Sequence, residues 1–153
     1  MQIKECANNE FLPEVIRLCR EGHTVTINLK GYSMRPFLEH GRDKAVLAVC
    51  DAYRVGDAVL AHVPIGNGMR RYVLHRIISI EGENVILLGD GNLSPEYCSY
   101  SDIKAKAIGF YRKRGGVYSP TDGWRWRVYS AIWMRLPVRS VRRVILAIIR
   151  RIR

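Results

Sequence analysis

A chain of 153 residues, 48% hydrophobic and 25% charged, is long enough to bury one core and too apolar for global disorder. Its formal charge of +11 is local: Trp124 to Arg153 holds nine arginines and no carboxylate, and the first 123 residues are nearly neutral at +2. That asymmetry argues against a DNA-binding domain and for a basic appendage.

The first thirty residues carry charges throughout and offer no apolar core for a secretory signal. No run reaches the ~18 apolar residues of a membrane span. Asn8 to Glu21 is expected to be a helix, because Phe11, Val15, Ile16, Leu18 and Cys19 recur at helical spacing and Gly22 follows as a stop. Thr24 to Leu29 alternates and is β-branched, which predicts a strand feeding Gly31-Tyr32-Ser33-Met34-Arg35-Pro36. Further strands are expected at 44–49, 58–62, 71–80, 84–88 and 104–111. Gly56-Asp57, Pro64 to Gly68, Glu81-Gly82-Glu83 and Gly89 to Pro95 punctuate them as turns. Residues 1–23 therefore read as a helical lead-in, 24–122 as a mainly β domain and 123–153 as a helical tail.

In that tail Val138, Val141, Ile145, Ile148 and Ile152 form one helical stripe. Arg139, Arg142, Arg143, Arg150 and Arg153 fall on the other side, and Pro137 interrupts the helix. Three readings stand: the stripe packs on the body, it enters an anionic membrane surface, or the arginines bind nucleic acid. Trp124, Trp126 and Trp133 favour the second, because indole rings suit the headgroup region. No nucleic-acid motif supports the third. The expectation is a cytoplasmic protein docked peripherally on the inner membrane face.

The four cysteines, Cys6, Cys19, Cys50 and Cys98, form no CxxC pair and adjoin no clustered histidines. Their spacing points to reduced thiols rather than zinc or a disulfide framework. No metal or organic cofactor is implied.

The chemistry gathers around Ser33. Gly31-Tyr32-Ser33-Met34-Arg35-Pro36 resembles the nucleophile box of signal peptidases and of the self-cleaving LexA-type repressors. Gly56-Asp57-Ala58-Val59 resembles the Gly-Asp-x-Val of that family. Val73-Leu74-His75-Arg76-Ile77 resembles the His-Arg box of the archaeal and endoplasmic-reticulum signal peptidases. Gly89-Asp90-Gly91-Asn92 resembles the Gly-Asp-x-Asn box that follows it, and 102–109 the closing strand. The resemblance covers roughly residues 24–112, with the boxes in family order. It implies a signal-peptidase/LexA-like β-fold and a serine endopeptidase with Ser33 as nucleophile and His75, in place of a lysine, as general base. Gly31 stands where many signal peptidases carry a hydroxyl, leaving the oxyanion to backbone N–H groups, with Gly31, Tyr32 and Met34 lining the substrate side.

A serine hydroxyl needs a base to take its proton as it attacks, and histidine suits that task near neutral pH. A third group usually orients the imidazole. Asp90 is the first candidate, Asp102 the second, and Glu96 also stands open. His62 competes with His75 as base. The partner implied is a peptide or protein substrate. A catalytically idle binding module, or a basic membrane-associated adaptor, is the rival reading.

Overall fold

The computed structural model describes residues 8–31, 33–113 and 116–152; the side chains of residues 8–10, 138 and 139 lie outside that description. It is mainly β, as expected. Helix α1 (Asn8–Arg20) leads into β1 (Val25–Asn28), β2 (Lys44–Ala48), β3 (Ala58–Gly66), β4 (Met69–Glu81), β5 (Asn84–Leu88), β6 (Glu96–Ser99), β7 (Ile103–Arg112) and β8 (Val117–Pro120). Helices α2 (Trp124–Arg135) and α3 (Arg143–Ile152) follow, separated by a π-helical turn at Val138–Arg142. The strands form one antiparallel sheet in the order β1-β2-β7-β3-β4-β5-β6, with β8 added on β7.

Two apolar clusters hold this sheet. Leu12, Val15, Ile16 and Cys19 of α1 pack with β1, β2 and β7 in the larger one. Val59, Ala61, Val63, Val73, Ile77 and Leu87 make the second, on the β3–β4–β5 ribbon.

The long hairpin differs from the sequence expectation, because β3 continues through Pro64 and pairs it with Arg70. Beyond Ala61 β3 has lost β7 and keeps β4 alone as neighbour, the setting in which a strand tolerates a residue without an N–H. The turn proper is Asn67-Gly68, both in the left-handed region.

The tail is not a separable appendage over its first half. Trp126 and Trp133 are each 5% exposed, and Trp126 belongs to the larger core cluster. Its ring lies 4.7 Å from Phe37 and 5.1 Å from Phe110 between centroids. A buried tryptophan removes roughly 150–250 Å² from water, so α2 is an integral layer of the body. Arg142 is 2% exposed and its Nε donates to the Trp133 carbonyl at 3.0 Å, closing the end of α2. Among the described residues no helix is long and apolar enough to cross a membrane.

Candidate active site

Ser33 stands just beyond β1, at the start of a turn that the core holds in place. Met34, Phe37 and Leu38 are buried, and the Leu38 N–H donates to the Met34 carbonyl at 3.0 Å. Buried Asp43 accepts from the Glu39 N–H at 2.8 Å and the Lys113 N–H at 3.1 Å, tying the far side of the loop to the end of β7. The Arg35–Pro36 peptide is cis. The serine is thereby fixed by packing on its C-terminal side and by the sheet on its N-terminal side.

Gly89 to Asn92, between β5 and β6, clamp this segment to β4. The Gly91 N–H donates to the Ser33 carbonyl at 2.8 Å. A Cβ on Gly89 would stand 2.4 Å from that carbonyl oxygen, 2.8 Å from Asn92 Nδ2 and 3.1 Å from His75 Cδ2. No side chain fits there, so position 89 is glycine because two backbones and an imidazole converge on it. The same distances bring the Ser33 carbonyl, the Asn92 amide and the His75 ring around one point.

His75 lies on β4 and is only 4% exposed. Its Nδ1 is 3.3 Å from Glu96 Oε2, and neither atom has an aligned hydrogen-bond partner among the described residues. The two groups are in close approach without the alignment of a formed hydrogen bond. Arg71, on the same face of β4 four residues before His75, bonds the other Glu96 oxygen. His75 foremost, and Arg71 after it, hold the Glu96 carboxyl below the usual carboxylate range against the opposing effect of burial. Glu96 is therefore the carboxylate that faces the imidazole.

The first two candidates for that role are engaged elsewhere. Asp90 accepts from Arg76 Nε and Nη2 at 2.8 and 2.7 Å and from the Tyr129 hydroxyl at 2.8 Å. Arg76 also reaches Ser130 Oγ at 2.6 Å and lies 4.6 Å from the Trp126 ring centre, so Asp90 neutralises a buried guanidinium beneath α2. Burial raises the Tyr129 hydroxyl pKa, and the Asp90 charge adds to it, so the phenol stays a donor. Asp102 accepts from the Ser99 N–H at 2.9 Å and pairs with Arg70 at 2.5 Å, capping the turn before β7. His62 stacks on Tyr72 with centroids 4.1 Å apart and does not line the cavity described next.

Ser33 and His75 line one cavity of about 400 Å³, together with Met34, Asn92, Lys30 and Arg150. No hydrogen bond joins Ser33 Oγ to the imidazole; such catalytic contacts commonly tighten only when substrate is bound. Of the backbone donors expected for an oxyanion, the Gly31 N–H is already given to His40 Nδ1 at 2.7 Å. The Ser33 N–H makes no bond to a described residue. Tyr32 lies outside the described residues.

The tail residues divide. Trp126, Trp133 and Arg142 are buried in the body and are not free to meet a membrane. Trp124 is 71% exposed and Arg143 is exposed, and the Arg139 side chain lies outside the described residues. Two apolar stripes are exposed: Trp124, Val128 and Ile132 on α2, and Val144, Ile148 and Ile152 continuing Val141 through α3, so that Val141, Ile148 and Ile152 of the expected stripe face outward. Leu146 is the buried contact of α3.

Sequence reasoning did not single out Asn92, Arg71 or Arg150. Asn92 closes the matched Gly-Asp-Gly-Asn box, and Arg71 shares the β4 alternation with His75, so both carried a local signal. Arg150 carried none, since only the path of α3 brings it to the cavity. No family model matches the chain, and comparison with curated proteins and with solved structures gives no match either.

Proposed function

We propose that this chain is a serine endopeptidase of the signal-peptidase and LexA type, with Ser33 as nucleophile, His75 as general base and Glu96 as the group that orients the imidazole. The observation that carries this reading is the glycine clamp: Gly89 and Gly91 hold the Ser33 backbone against the His75 ring within one cavity. In the reaction Ser33 Oγ attacks the scissile carbonyl as its proton passes to His75. The imidazolium, stabilised by Glu96, then protonates the leaving amine. Water repeats the sequence in reverse and frees Ser33. The Ser33 N–H and the Asn92 amide are the donors for the oxyanion. Strand β1 is an edge of the sheet and its Ile27 and Asn28 line the cavity, which suits an extended peptide adding alongside.

The exposed stripes of α2 and α3, with Arg125, Arg127, Arg135, Arg143 and Arg151 exposed beside them, favour peripheral docking on an anionic bilayer. The absence of a formed Ser33–His75 hydrogen bond keeps a second reading, a binding module without turnover. A fluorophosphonate probe separates the two. Labelling at Ser33 that disappears in His75→Ala supports the peptidase; no labelling of the wild-type chain makes it a binding module.

A further inference from the structure

The cavity around Ser33 and His75 carries an unbalanced charge. Leu12, Ile27, Leu29, Leu38 and Leu60 supply an apolar lining, and Lys30, Arg71 and Arg150 supply three cations. Arg71 is matched by Glu96. Glu39, the carboxylate among the lining residues, is matched by Arg35, whose Nε and Nη2 donate to it at 3.2 and 2.5 Å. Lys30 and Arg150 make no ion pair or hydrogen bond with any described residue. Among the described residues, two cations thus face the cleft with no counter-charge, one from the segment leading to the nucleophile and one from the C-terminal helix.

Resting on the peptidase reading, we infer that the cleft selects peptides bearing a carboxylate near the scissile bond, met by Lys30 and Arg150. The position follows from chain geometry. Three Cα–Cα steps lead from Lys30 to Ser33, so their Cα atoms are at most roughly 11 Å apart. An extended substrate advances about 3.3 Å per residue, so a carboxylate on Lys30 falls within about four residues of the cut. Arg150 brings a planar fork that matches a carboxylate with two parallel N–H bonds, and Lys30 brings a mobile point charge. The apolar lining then takes a neighbouring side chain, and the cations fix its register. The basic tail, on this view, supplies a specificity residue to the site as well as a surface.

The carboxylate has two sources, an Asp or Glu side chain or the free end of the peptide. Quenched fluorogenic octapeptides with amidated ends, carrying one Glu moved through four positions on each side of the cut, are compared with their Gln counterparts. A neutral peptide with a free C-terminus is compared with its amide. The quantity read is the acid-over-amide ratio of kcat/KM for wild type, Lys30→Ala, Arg150→Ala and the double variant. Because each ratio is taken within one protein, a change in folded fraction cancels. The ratio is expected to exceed about tenfold at one or two positions, to fall several-fold in each single variant, and to approach one in the double variant. A preference confined to the free C-terminus assigns the carboxylate to the chain end. A ratio near one throughout, or the same ratio in wild type and double variant, overturns the inference. Binding of the same peptides to Ser33→Ala by fluorescence anisotropy separates this failure from that of the peptidase reading. If no peptide is cut, an acid-over-amide binding ratio lost in the double variant still supports the carboxylate site, and a ratio of one overturns it.

Discussion

His75 Nδ1 lies 3.3 Å from Glu96 Oε2, and both atoms are buried with no hydrogen-bond partner among the described residues. Asp90, by contrast, sits at the centre of a saturated cluster around Arg76. The two carboxylates therefore fail differently when neutralised. Glu96→Gln is expected to lower kcat by about 10²-fold, the scale of a lost general-base contribution, with the melting temperature little changed. Asp90→Asn leaves a buried guanidinium without its counter-ion and is expected to cost about 3–5 kcal/mol of stability. Steady-state kinetics with thermal melts on both variants checks this; a stable Asp90→Asn protein that has lost kcat would transfer the orienting role back to Asp90.

Ser33→Ala and His75→Ala are expected each to abolish hydrolysis and, combined, to lose no more than either alone, because the nucleophile and its base act as a unit. Circular dichroism should match wild type for both. Appreciable turnover by Ser33→Ala would end the peptidase reading.

The pH dependence of stability carries the Glu96 contact with a definite sign. Its carboxyl is held below the usual range in the fold, through His75 first and Arg71 next. A depressed carboxylate contributes stability that is complete above the unfolded value, about 4.3, and is lost as pH falls through the lower folded value. Urea unfolding at pH 6 and pH 3.5 should show wild type losing more on acidification than Glu96→Gln. Equal losses would mean the contact contributes nothing to folding.

The sheet was legible where apolar and β-branched residues set the pattern, as at residues 25–28, 44–48, 69–81 and 84–88. β6 and β8 were not: Glu96–Ser99 and Val117–Pro120 are as short as β1 but lack its β-branched pattern, and their pairing is decided by neighbours. That loss mattered for the site. Glu96 can be ranked against Asp90 only when β6 is known to pair with β5, and the register Leu87↔Glu96 is tertiary information. Arg76 is the other instance. Nothing in the sequence assigns a partner to the arginine after His75, and only the fold shows that Asp90, Ser130 and two aromatic rings of α2 bury it. The amphipathic period of the tail was visible, but which face is covered depends on where α2 lands.

Gly89→Ala tests the clamp. The added methyl would lie 2.4 Å from the Ser33 carbonyl oxygen, which is backbone and cannot swing away. The nucleophile segment must shift, and a misplacement of about 1 Å can cost 10²-fold in rate. A drop in kcat of that order, with the Gly91–Ser33 tie weakened in amide exchange, is expected. Unaltered kcat would show that the position of the Ser33 backbone against His75 is not what the chemistry uses.

Membrane docking turns on which half of the tail is altered. Trp126→Ala would empty a core site and cost about 3–5 kcal/mol, so lost liposome binding in that variant says nothing about the surface. Ile148 and Ile152 are exposed on α3 and can be changed without opening the core. Removing one large aliphatic side chain from a lipid contact forfeits roughly 1.5–3 kcal/mol, about tenfold or more in partitioning. Ile148→Glu should therefore sediment at least tenfold less with vesicles containing phosphatidylglycerol, and raised salt should weaken the wild-type association through its arginines. Equal sedimentation of wild type and Ile148→Glu, or no preference for anionic over zwitterionic vesicles, would leave the exposed stripes without a lipid partner.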